Sequence, residues 1–242
     1  MTGRILGTGA YVPARTVENQ ELAKVVDTND AWIQERTGIA RRHLIEEETT
    51  SYMAAQAARE ALLQAGIAGE NVDLILVATS TPDTIFPCVA CEVQKEIGAA
   101  NSPGFDLNAA CSGFLFAYQT AQAYIQAGLY KTILVIGADS MSQVIDWTDR
   151  GTCILFGDGA GAVVLRAEAG GVSFHAAHSN GAGGNVLTGR SRHRKGWEEP
   201  KRMEETFLHM DGQQVFKFAV RSVPEIVEEL LKQAQMKPVS YT

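Results

Sequence analysis

A chain of 242 residues with 45% hydrophobic content is long enough to bury a core in one large or two small domains. Its 21 basic against 28 acidic residues, net −7, argue against broad nucleic-acid binding, and four cysteines do not suggest a disulfide scaffold. The opening Met-Thr-Gly-Arg-Ile-Leu lacks a signal-peptide pattern, so a cytoplasmic chain is expected.

Arg4 to Val12 reads as a strand with glycine breaks, closed by Pro13. Asn19 to Val26 and Asn29 to Arg36 read as short helices, and Arg41 to Ile45 as a short strand. Thr50 or Ser51 is positioned to cap a helix running through Gln64, which Gly66 ends. The unbroken apolar run in Val72 to Ala78 marks a strand buried on both faces. Pro87 to Gly98 is helical and holds Cys88 and Cys91. A lone C-x-x-C without a second pair reads as chance spacing, not zinc or redox chemistry, and no metal site is expected.

The stretch from Phe105 to Gly128 carries the strongest signal. A strand end, Gly104 to Leu107, breaks at Asn108-Ala109-Ala110, and a helix runs from Cys111 to Gly128. No charge occurs between Asp106 and Lys131, and apolar residues fall on every face, which predicts a helix buried all round. Gln119, Thr120, Gln122 and Gln126 argue against a membrane span. Cys111 sits where free amides and the positive end of the helix dipole stabilise a thiolate, which makes it a candidate nucleophile. Gly113 is expected to leave room for a substrate at the sulfur.

Thr132 to Ala138 and Ala160 to Leu165 are further buried strands. Gly157 to Ala162 has the wrong spacing for a dinucleotide loop and is followed by β-formers, so it reads as a turn entering a strand. Strands alternating with helices indicate a layered α/β sheet. A new unit starts near Val172 to His175. The loop-like stretch from Gly181 to Lys201 carries Arg190, Arg192, His193, Arg194 and Lys195, read as a solvated basic run. Gln213 to Gln235 is a strongly amphipathic helix, with Phe216, Val220, Val223, Ile226 and Leu230 near one face.

Five motifs then occur in order. They are Asp27-Thr28-x-Asp-x-Trp32-Ile, Arg36-Thr37-Gly38-Ile39, Asn108-Ala-Ala-Cys111-Ser-Gly, Thr148-Asp-Arg150-Gly151-Thr152 and Phe156-Gly-Asp-Gly-Ala-Gly161. Together they resemble β-ketoacyl-acyl-carrier-protein synthase III, from Arg4 to the end of the chain. A degradative thiolase is the weaker enzymatic reading, because Trp32 and Arg150-Gly151 point to synthase III.

The resemblance implies a thiolase-like α/β fold, layered α-β-α-β-α, with two related halves and a homodimer joined through the first. Residues 1–169 would form the half carrying the nucleophile, and residues 170–242 would begin an incomplete second half. It implies an acyltransferase of fatty-acid biosynthesis that takes an acyl group from acyl-CoA and condenses it with malonyl-acyl-carrier protein. CoA thioester is the substrate, and no cofactor, nucleic acid or membrane is called for. By motif, Cys111 is the nucleophile, and Trp32 and Arg150 match the pair that sandwiches the CoA adenine. Thr28, Arg36, Thr37 and Gly151 fall at neighbouring CoA positions. Phe86 matches the residue that reaches into the partner's acyl pocket; Met141, Phe156, Leu187, Leu208 and Met210 match the rest of that pocket.

The family also carries a histidine and an asparagine that polarise the malonyl thioester, beyond the amphipathic helix. His43, His175, His178, His193 and His209 match no such position, and the sequence ends at Ser240-Tyr241-Thr242 before that histidine is expected. Gln213 stands where the family often has an asparagine. The apolar face of the last helix is then expected to be exposed or to need another chain, such as a separate C-terminal segment. The second function reading is a truncated, non-condensing acyl- or CoA-binding dimer module.

Overall fold

A computed structural model of the chain describes residues 1–189 and 207–238. The basic run at 190–195, with His193, lies outside the described residues.

The elements follow in chain order as β1 (Thr2–Tyr11), β2 (Thr16–Glu18), α1 (Asn19–Leu22), α2 (Asp30–Thr37), β3 (Arg41–His43) and α3 (Thr50–Ala65). Next come β4 (Leu74–Ala78), α4 (Val89–Glu96), β5 (Gly104–Leu107), α5 (Gly113–Gln126) and β6 (Thr132–Ser140). The last are α6 (Arg150–Cys153), β7 (Asp158–Glu168), β8 (Leu187–Thr188), β9 (His209–Met210) and α7 (Gly212–Ala234).

Five strands form one mixed sheet in the order β1-β7-β6-β4-β5, parallel at β4–β5 and β4–β6 and antiparallel at β6–β7 and β1–β7. Strand alternation explains why the central runs are apolar throughout. Ile75, Val77, Leu134, Ile136 and Val164 pack under α3 and α4, while Leu74, Leu76, Ile133, Val135 and Leu165 pack against α5. The layered α/β expectation is met by this sheet with helices on both faces. A third cluster, with Val17, Leu22, Ile33, Ile145, Cys153 and Ile154, joins α1 and α2 to α6. Buried Arg42 crosses it, donating to the Val17 and Ile154 carbonyls and, at 2.7 Å, to Asn19 Oδ1.

Glycines let α3 settle on β1. A Cβ on Gly7 or Gly9 would run into main-chain atoms of α3, at Ala61 and Ala65 or at Ala57 and Ala61. The glycine breaks of the first strand are therefore close-approach positions. The free edge of β1 is closed by side chains: Gln64 accepts from Thr8 N, and Glu60 accepts from Ala10 N at 2.6 Å. Gln122 accepts from Gly3 N and donates to Gly3 O, both at 2.8 Å.

Several local expectations are corrected. Thr49 caps α3 by accepting from Tyr52 N, and the amides of Thr50 and Ser51 donate instead to Asp83. Helix α1 stops at Leu22, well short of Val26. Strand β2, unmarked by periodicity, pairs with β3. Helix α5 is buried on one face only: Ala117, Ala121 and Ile125 meet the sheet, while Leu115 is 62% exposed. One sheet packs on it within the described residues, and a single sheet covers a single face. Helix α7 has no buried residue, and Phe216 on its apolar side is 66% exposed, as the amphipathic pattern predicted.

Candidate active site

Strand β5 ends beside β4, and the chain turns sharply before α5 begins. Ala110 takes φ 47, a left-handed backbone uncommon for a residue with a Cβ. Asn108 steadies the turn: its Oδ1 accepts from Ala110 N at 3.1 Å and from Ser80 Oγ at 3.2 Å. Ser80 N in turn donates to Asp139 Oδ1 at 2.7 Å. Cys111 stands on this turn, exposed, one residue before the cap of α5. It opens onto a cavity of about 330 Å³.

That cavity is lined by Ala78, Phe114, Asp139 and the backbone of Gly137, Gly157, Gly159 and Gly161. None of the predicted acyl-pocket residues lines it. Sequence reading missed Phe114 and Asp139. Phe114 stands three residues after Cys111, one helical turn on, which was a usable signal; Asp139 lies within β6, just past the apolar run that ends at Ala138, and carried none. The glycine run read as a turn entering a strand is itself mostly strand, since β7 begins at Asp158 and pairs on both sides from Ala160, and its place beside Cys111 follows from sheet order alone. Gly113 is corrected. It is buried, and a Cβ on it would lie 3.1 Å from Ala78 Cβ, so its missing side chain brings α5 onto β4 and opens no space at the sulfur.

The second grouping lies over the third core cluster. Asn29 caps α2 by accepting from Trp32 N at 2.9 Å. Asp149 caps α6 by accepting from Gly151 N at 2.8 Å. Between them, the guanidinium carbons of Arg36 and Arg150 lie 4.4 Å and 4.6 Å from the Trp32 ring centroid. Arg150 also donates to the Asp27 carbonyl at 3.1 Å. Nearby, the Thr148 hydroxyl donates to Asp146 and holds that carboxyl below its usual range. Thr28 Oγ1 is buried with no hydrogen-bond partner among the described residues. Thr37 is occupied: its hydroxyl donates to Ile33 O and accepts from Ile39 N, closing the end of α2. The Gly151 amide is likewise taken by Asp149.

Phe86 is 84% exposed, on the segment between β4 and α4. Met141 lies in the short turn after β6. Phe156 and Leu208 pack on the third core cluster, and Leu187 pairs with Met210 across β8 and β9. Leu208 N donates to Val144 O at 2.8 Å, which ties this ribbon to the turn beyond Met141.

Cys153 has no exposed area, and burial pushes its thiol up. The Cys91 thiol is likewise pushed up by its hydrogen bonding with Cys88 and by burial. Iodoacetamide should therefore label Cys111 ahead of Cys88, Cys91 and Cys153 in folded protein, followed by peptide mass. Equal rates at all four would contradict this ordering.

A nucleophile turn between a parallel strand and a helix on a mixed α/β sheet is the construction of the thiolase-like condensing enzymes, and the comparisons agree. The family described as 3-oxoacyl-[acyl-carrier-protein (ACP)] synthase III matches residues 105–193. A β-ketoacyl-[acyl-carrier-protein] synthase III 1 of Bacillus anthracis is 46% identical over 233 residues, covering 95% of this chain and 70% of that one. A crystal structure of the Aquifex aeolicus synthase III superposes with TM-score 0.89 at 42% identity, over 98% of this chain and 73% of that one. The Thermus thermophilus structure gives TM-score 0.88 at 38% identity, with 97% and 73% covered. The fold is thiolase-like and the class is acyltransferase. The chain belongs to the β-ketoacyl-acyl-carrier-protein synthase III family. Among the described residues no helix is long and apolar enough to cross a membrane.

Proposed function

We propose that this chain carries the acyl-transfer site of a synthase III that starts fatty-acid synthesis, loading Cys111 from acyl-CoA for condensation with malonyl-acyl-carrier protein. The observation that carries this reading is Cys111 on its strained turn at the mouth of a cavity. The thiolate attacks the acyl thioester carbonyl, the carbon–sulfur bond to CoA breaks, and CoA leaves as its thiol after taking a proton. Malonyl thioester then loses carbon dioxide, and its carbanion attacks the acyl-cysteine and releases Cys111. CoA is substrate here, and no further cofactor enters. A cytoplasmic homodimer joined through a first half at 1–169 belongs to the same proposal, supported by exposed Phe86 and the free edge of β5.

The reading of a truncated, non-condensing binding module finds no support, since relatives matched over 95% of the chain are named as synthases. Malonyl-dependent carbon dioxide release with an acyl-CoA primer tests the proposal. Acyl-CoA binding with neither an acyl-cysteine nor carbon dioxide would return the module reading.

CoA placement on Trp32 has its own test. Arg150 now rests on the ring, whereas a base held between the two needs roughly 3.5 Å on each side. Binding therefore swings Arg150 outward. Trp32→Ala or Arg150→Ala should weaken CoA by about 1–2 kcal/mol, a rise in Kd of roughly 5- to 30-fold by calorimetry. Unchanged affinity in both variants removes the clamp.

A further inference from the structure

The Cys88-x-x-Cys91 spacing, read as chance in the sequence, brings two thiols together. Cys88 is the N-cap of α4 and Cys91 its third residue. The amide of Cys91 donates to the Cys88 carbonyl at 3.0 Å, which fixes the first turn. The Cys88 thiol donates to Cys91 Sγ at 3.4 Å. Cys91 is exposed, while Cys88 is half-buried against the core under α3 and α4. The outer sulfur can meet a reagent and the inner one is held ready behind it. Among the described residues no group of three His, Cys, Asp or Glu is placed to hold a metal ion, and the two thiols stand as a pair.

We propose that Cys88 and Cys91 form a reversible thiol–disulfide site, closing by exchange with a small-molecule disulfide. Cys91, giving its proton to solvent, attacks one sulfur of that disulfide, its S–S bond breaks, and one small thiol leaves. Cys88, giving its proton to solvent, then attacks the Cys91 sulfur of the mixed disulfide, and the second small thiol leaves. The protein loses two hydrogens and is oxidised by two electrons; the small disulfide is reduced to two thiols. The sulfur–sulfur distance has to shorten from 3.4 Å to about 2.05 Å. Helix α4 is also held by Asp106, whose carboxylate accepts from Val89 N at 2.9 Å and Ala90 N at 2.8 Å. Closure therefore acts on a cap tied to the strand that delivers Cys111 and two residues from Phe86.

The test uses the full chain with Cys111→Ser, so that the exposed nucleophile takes no adduct. Protein is exposed to glutathione disulfide, quenched in acid, alkylated with N-ethylmaleimide and mapped by mass. The expected result is loss of two alkylatable thiols, a peptide linking Cys88 to Cys91, and no lasting glutathione on either. Adding Cys88→Ser should leave glutathione trapped on Cys91. The proposal is overturned if Cys91 keeps glutathione while Cys88 is present, or if both thiols remain alkylatable.

Discussion

Cys111→Ser protein incubated with acyl-CoA will carry no acyl group at position 111, while the parent will carry one. The substitution keeps size and turn geometry and changes only the nucleophile, because a serine hydroxyl needs an adjacent base that a thiol does not. Ala110 holds the left-handed turn that carries Cys111, one residue before the cap of α5. Acyl-CoA turnover should fall on the order of 10⁴-fold or more, the scale of losing a covalent nucleophile. An acyl adduct of equal yield in the variant, or one mapped to Cys91, would show that Cys111 does not start the reaction.

Gly9→Val is expected to have the largest effect on stability. The new side chain would collide with the Ala57 carbonyl and the Ala61 amide, which are helix backbone and cannot rotate away. Relief requires α3 to lift from β1, which uncovers Ala54, Ala57, Ala58 and Ala61, all without exposed area. Overpacking of this kind costs typically 1–3 kcal/mol and here about 3 or more, because the obstacle is main chain. In a chain of this size that lowers Tm by roughly 6–12 °C. Gly38→Val is the contrast: φ is 72 there, but nothing lies within 4 Å, so its cost is backbone strain alone. Equal melting of Gly9→Val and the parent by differential scanning calorimetry would refute the close-approach account.

By itself the sequence determined the elements whose signal is local. Leu-Ile-Leu-Val-Ala could only be a doubly buried strand, the turn after Leu107 announced Cys111, and the motif order carried the family. Helix α7 was legible because its apolar spacing is long and regular. What tertiary structure alone decided is everything set by distant partners. The cavity beside Cys111 joins β4, β6, β7 and α5, so Asp139 and Gly159 reach it through strand order, which no local pattern encodes. Gly113 looked like access to the sulfur and proved to be contact with Ala78, because a glycine's use depends on what approaches it. Gln122 read as a polar mark against a membrane span, and only the arrival of β1, far away in the chain, gave it a hydrogen-bond partner in Gly3. The thiols of Cys88 and Cys91 meet across one local turn of α4, and Asp106, on another element, holds that turn by accepting the amides between them. Local periodicity reports which face of an element is apolar; which element comes to cover that face is a property of the whole chain.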